Sequence, residues 1–123
     1  MKINLISRIE VKKVEMDGAK DVKMKILIGP QDGSDNIIMR QFIIGLDGHT
    51  PKHSHNYEHV VKVEKNKGIY IDNDGLKHEI TIGQSVFVPP NEEHQFQNPY
   101  NKHFEFICVI PNPQKNNCTL LGK

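Results

Sequence analysis

The sequence predicts an all-β fold, a sandwich or barrel with Greek-key or jelly-roll winding. Three observations carry that expectation. Short runs rich in Ile, Val, Phe and Tyr recur at close spacing, each bounded by Gly, Pro, Asn or Asp. The tripeptide Asn73-Asp74-Gly75 falls between two such runs, and Asp-Gly supplies the positive φ of a tight hairpin turn. No long window carries apolar residues at i, i+3, i+4 and i+7, so an amphipathic helix has nowhere to form.

Taken in order, the first element is the least regular. In residues 1–20, Ile3, Leu5, Ile9, Val11 and Val14 come close to alternating, which suits an added edge strand. Such a strand pairs with its own sheet or is exchanged with a second copy in a homodimer, because an uncovered edge invites aggregation. The barrel proper spans 21–112, with strands expected over 22–28, 37–46, 59–64, 68–73, 76–82, 85–88, 95–98 and 104–110. Residues 113–123 form a polar tail, expected to be loosely ordered, that carries Cys118.

Composition narrows the function classes. A chain of 123 residues is long enough for one domain with a core of its own. Its 16 Lys+Arg are scattered against 15 Asp+Glu, so nothing electrostatic recruits a nucleic acid or a membrane surface. No apolar run approaches the roughly 20 residues of a bilayer span, and the N-terminal stretch lacks a signal-peptide core. Two cysteines, Cys108 and Cys118, are too few for a disulfide framework. A cytoplasmic domain acting on a small molecule is the expectation. The outlying count is seven histidines against five phenylalanines.

The histidines concentrate in Gly48-His49-Thr50-Pro51-Lys52-His53-Ser54-His55-Asn56-Tyr57-Glu58-His59. On a strand, side chains at i and i+2 share a face, so His53 and His55 can converge on one point. His59 keeps that parity if the strand resumes after an excursion at Asn56–Tyr57. On a helix the same spacing would splay the rings by about 200°. Imidazole suits Fe, Cu, Ni and Zn near neutral pH, which makes this segment a candidate metal site. The competing explanation is a solvated polar loop.

A second stretch, from Gly83 to Asn98, places His94 after the turn Pro89-Pro90-Asn91. Together the two stretches resemble the two conserved motifs of the cupin superfamily. Gly83, Pro89, His94 and Asn98 fit the second motif, G-x5-P-x-G-x2-H-x3-N, with Asn91 in place of its middle Gly. Asn is the non-Gly residue best able to adopt a left-handed turn, so the exchange is mild. In the first motif, G-x5-H-x-H-x3,4-E-x6-G, His53 and His55 fill H-x-H, and His59 stands where Glu is usual. Glu58 comes one place early, Gly48 is displaced by one, and Asn66 replaces the closing Gly. The form is similar to small single-domain cupins of the cupin_2 type with four histidine ligands, most of all to manganese-binding ones.

The resemblance implies a jelly-roll barrel (a double-stranded β-helix) with His53, His55, His59 and His94 as ligands of a divalent metal. Mn or Fe is expected first, with Ni, Cu and Zn also compatible. It further implies that Phe104, Phe106, Cys108 and Ile110 face inward, placing Phe106 and Cys108 on a substrate pocket, and Phe96 should join them. With an apolar face around it, Cys108 reads as a packed hydrophobe more readily than as a nucleophile. Arg40 and Phe42 share a face of an earlier strand. If that face is inward, Arg40 can grip a carboxylate or enolate; otherwise it is a surface arginine. Glu58 is either an acceptor for a ligand imidazole or a solvated turn carboxylate. Arg40 and Glu58 are the only candidate catalytic side chains besides the metal ligands. His49, His78 and His103 are expected at the surface.

Three functions fit these expectations. The first is a metal-dependent oxidoreductase or dioxygenase acting on a small, largely apolar substrate. The second is a metal-dependent isomerase or lyase, which wants a general base for which the only candidates are the metal ligands themselves and Glu58. The third is a binding or sensing module without turnover, since cupins host all three kinds.

Overall fold

The computed structural model describes residues 1–114 and the strand residues 120–121; Cys118 lies outside the described residues. The strands are β1 Lys12–Lys13, β2 Lys20–Ile28, β3 Ile37–His49, β4 Ser54–His55, β5 His59–Lys65, β6 Lys67–Ile71, β7 Lys77–Thr81, β8 Ser85–Val88, β9 Gln95–Gln97, β10 Phe104–Pro111 and β11 Leu120–Leu121. The helical content described is two 3-10 turns, Ile6–Arg8 and Pro30–Asp32. Nine strands form one sheet in the order β7-β6-β9-β3-β10-β5-β8, with β2 also on β3 and β1 on β2, while β4 pairs with β11. The chain is a single-domain, all-β, barrel-like fold, as the sequence predicts.

The long β3 explains how the sheet curls. Its first part lies between β2 and β10, pairing Arg40 with Cys108 and Phe42 with Phe106. Its end continues beyond the expected boundary at 46 and reaches β9, where His49 pairs with Gln97. The bend falls at Asp47, whose left-handed backbone (φ 61) aims its N–H at the Asn98 carbonyl, 2.8 Å away. One strand thus belongs to both walls.

Strand alternation fills the interior. Along β10, Phe104, Phe106, Cys108 and Ile110 are buried, while Glu105, Ile107 and Val109 face outward, half-buried. Val22, Ile44, Val61 and Val63 meet the inward set. Packing is tight where β6 passes β10: a Cβ on Gly68 would stand 2.3 Å from the Phe104 ring, so only glycine lets the strands approach this closely.

The N-terminal segment adds a short edge strand to β2. Strand geometry is confined to Lys12–Lys13, paired with Met24 and Lys23, and a 3-10 turn at Ile6–Arg8 interrupts the apolar alternation. Side-chain bonds hold the segment beside β2 instead of a ladder: Asn4 donates to the Leu27 carbonyl at 3.0 Å, and Lys25 to the Ile6 carbonyl at 2.9 Å. Ile3, Leu5, Ile6 and Val11 are consequently exposed, and Val14 is the residue that packs on the core.

Candidate metal centre

Four short pieces of backbone bring the histidines together. His53 and His94 face each other in an isolated antiparallel bridge, exchanging N–H···O bonds of 3.2 and 2.9 Å. His55 follows on β4, the chain bends through Asn56–Tyr57, and His59 opens β5 with its side chain inward. The turn before His94 closes on the first segment, where Asn91 donates its N–H to the His55 carbonyl at 2.6 Å. Asn91 and Asn66, the two asparagines standing where the motifs carry Gly, both adopt left-handed backbone, with φ of 66° and 60°.

The ring nitrogens of His53, His55 and His94 lie within 4.8 Å of one another. His59 reaches this group through His55, with its Nε2 3.1 Å from His55 Nδ1, and its ring centroid is 5.5 Å from that of His94. Tautomers follow from the partners. His94 Nδ1 lies 2.9 Å from the Glu92 carbonyl, which can only accept, so Nδ1 carries the proton and Nε2 presents its lone pair to the cluster. On the far side of His59, Nδ1 contacts Cys108 Sγ at 3.3 Å.

Burial keeps the His55, His59 and His94 rings neutral. Desolvation, helped by the neighbouring imidazoles and by Arg40, lowers His55 to about 3 and His59 to about 2. Desolvation also lowers His94, against a smaller opposing effect of the Glu92 carbonyl. Neutral imidazoles with converging lone pairs are the donor set that binds borderline divalent metals, so the residues present fit such an ion. His53, His55 and His94 could hold it, with His59 adjacent.

The cluster lies in a cavity of about 490 Å³. Phe42 stacks on Phe106 at 5.3 Å between centroids, and Phe106 on Phe96 at 4.4 Å, which makes a continuous aromatic wall. Arg40 and Cys108 complete that side, so each residue expected in the pocket lines it. Burial raises the Cys108 thiol above its usual range, against the pull of Arg40. Glu58 is exposed and is not among the cavity-lining residues. The imidazole contacts described above run instead to Glu92 and Cys108. His78 and His103 are exposed as expected, but His49 is half-buried, its Nδ1 3.4 Å from Gln95 Nε2.

Sequence reasoning missed two tyrosines. Tyr57 stacks on His59 at 5.2 Å and 6°. Its position two residues from both His55 and His59 was the available signal. Tyr70 stacks on His94 at 6.1 Å and donates to Glu92, a contact between distant strands that no local pattern reveals.

A curled antiparallel sheet with imidazoles converging in an apolar cavity defines a β-barrel-type protein with a candidate divalent-metal site. The chain belongs to the cupin domain family, which matches over residues 42–110. Among solved structures it is similar to a polyketide cyclase from Streptomyces resistomycificus, with 28% identity, a TM-score of 0.86, and coverage of 90% of this chain and 79% of that one. It is also similar to a predicted oxalate decarboxylase from Thermotoga maritima, with 22% identity, a TM-score of 0.80, and coverage of 89% and 98%. A sugar phosphate isomerase from Silicibacter pomeroyi matches with 20% identity, a TM-score of 0.76, and coverage of 91% and 76%. No curated protein matches.

Proposed function

We propose that the protein is a metal-dependent enzyme that oxidises a small, largely apolar organic molecule with dioxygen, at a centre held by His53, His55, His59 and His94. The observation that carries this reading is an all-imidazole donor set opening into an aromatic cavity whose described lining contains no carboxylate. A bound divalent ion, Mn or Fe in the first instance, supplies Lewis acidity and one-electron chemistry. The chain's own residues do the rest. Phe42, Phe96 and Phe106 exclude water from one side and orient an apolar substrate by ring contact. Cys108 and Glu92 fix the outer nitrogens of His59 and His94, which sets the direction of the inner ones.

An isomerase needs a base beside its substrate, and the exposed Glu58 does not fill that role. Likeness to the polyketide cyclase, the one neighbour named here above 25% identity, favours a second reading: redox-neutral ring closure of a poly-β-ketone. Elemental analysis of protein purified from its native host, followed by oxygen uptake with small phenols, diketones and alkenes, separates the two. Uptake that requires Mn or Fe supports oxidation. Zinc at full occupancy, no uptake and a cyclised product from a poly-β-ketone would overturn it in favour of the second reading.

A further inference from the structure

Arg40 is a half-buried guanidinium without a matching charge. It projects from β3 into the cavity, with Nη2 3.6 Å from Cys108 Sγ and its guanidinium carbon 4.9 Å from the centroid of Phe42. Its Nε is buried and has no hydrogen-bond partner among the described residues. No described carboxylate forms an ion pair with it. The cavity adds Lys12 and Lys13 to its lining and no acidic residue. Removing a guanidinium from water without a counter-charge is unfavourable unless something else completes it. An apolar wall alone does not require a cation here, since a Leu or Met would pack as well against Phe42.

We infer that the cavity is built for an organic oxyanion: a carboxylate, phenolate or enolate head bound by Arg40, with an apolar aromatic body lying along Phe42, Phe106 and Phe96. The inference rests on reading the cavity as the substrate site, and it makes Arg40 the residue that determines specificity. The guanidinium offers a planar pair of donors to two oxygens or to one oxygen in a fork. Lys12 and Lys13 at the rim attract the same sign of charge as it approaches. The head group would thus lie on the Cys108 side of the histidine cluster, since Arg40 and His59 both touch that sulfur.

The test compares two probes that share a ring system, 1-naphthoate and the neutral 1-naphthylmethanol, by calorimetry on the full chain. Each is measured on zinc-loaded protein and again after stripping with EDTA. Wild type should bind the anion at least about tenfold tighter than the alcohol in both forms, as expected of a charge-assisted pair. Arg40→Gln should bring the two affinities within about twofold of each other by weakening the anion alone, and Arg40→Lys should retain part of the preference. Equal affinities in stripped wild type, or an undiminished preference in Arg40→Gln, overturns the inference. A preference confined to the zinc-loaded form also overturns it, because it would belong to the ion. If Arg40→Gln does not fold, stripped wild type and Arg40→Lys still decide. Metal content is a separate readout: its absence from wild type would sink the metalloenzyme reading without touching the anion preference.

Discussion

Replacing Asn98 by Ala should loosen the joint that holds the two barrel walls together. Asn98 is 1% exposed, and its Nδ2 lies 2.9, 3.1 and 2.8 Å from the carbonyls of Ile44, Gly45 and Lys102. Its Oδ1 accepts from the Tyr100 N–H at 3.1 Å. Two amide protons serve three oxygens, so the side chain counts as two full donations and one acceptance. At about 1 kcal/mol each, with an added cost for backbone groups stranded out of water, truncation should cost about 3–5 kcal/mol. For a domain of this size that lowers Tm by roughly 10–20 °C. Urea unfolding followed by circular dichroism, with EDTA present so that metal linkage does not contribute, measures it. Asn98→Asp keeps the shape but turns an anionic oxygen toward the carbonyls, so near neutral pH it should be no more stable than Asn98→Ala. If both variants unfold within about 1 kcal/mol of wild type, water or the relaxed loop satisfies the carbonyls, and the reasoning fails.

Three further outcomes follow from the same geometry. His53→Ala or His94→Ala should weaken metal binding at least about tenfold, since even loss of a ligand's outer hydrogen bond commonly costs that much; unchanged metal content by mass spectrometry would refute their assignment. His55 and His59 have folded values of about 3 and 2, below the ordinary 6.5. Between these limits the unfolded chain takes up protons that the native one refuses. Stability of the metal-free protein should therefore fall as pH drops from about 6.5 toward 3, by up to ~1.4 kcal/mol per unit for each ring, less where water reaches the cavity mouth. A flat profile from pH 7 to 5 would contradict that sign. Gly68→Ala sets a methyl against the buried Phe104 ring and should cost about 1–3 kcal/mol, and adding Phe104→Leu should recover part of it.

The strands were legible because their apolar runs are short and separated by turn residues; parity put Phe106 and Cys108 on one shared face, and the resemblance to cupins said which way that face turns. Strand periodicity grouped His53 with His55, whereas His94 joined them only through the resemblance of the two stretches to the cupin motifs. Length was harder to read. The strand expected to stop at 46 runs to His49, because left-handed Asp47 bends the chain where sequence alone signals a break. In the first 20 residues the edge strand is only Lys12–Lys13, and side-chain bonds of Asn4 and Lys25, which no local pattern reveals, hold the stretch before it beside β2. Tyr70 over His94 was invisible because it depends on β6 lying beside β9.

The bridge between His53 and His94 ties chemistry to folding. Three of the four histidines are neighbours in sequence and would stay close in a denatured chain, whereas His94 joins them only when distant segments pair. The same two hydrogen bonds are therefore a piece of sheet and the clasp of the donor cluster. Opening the clasp would take His94 away from the other three donors, so the rate at which a chelator extracts a bound ion should rise with the barrel's local opening. Chelator kinetics would then report on the mobility of this wall, read at a single, known pair of residues.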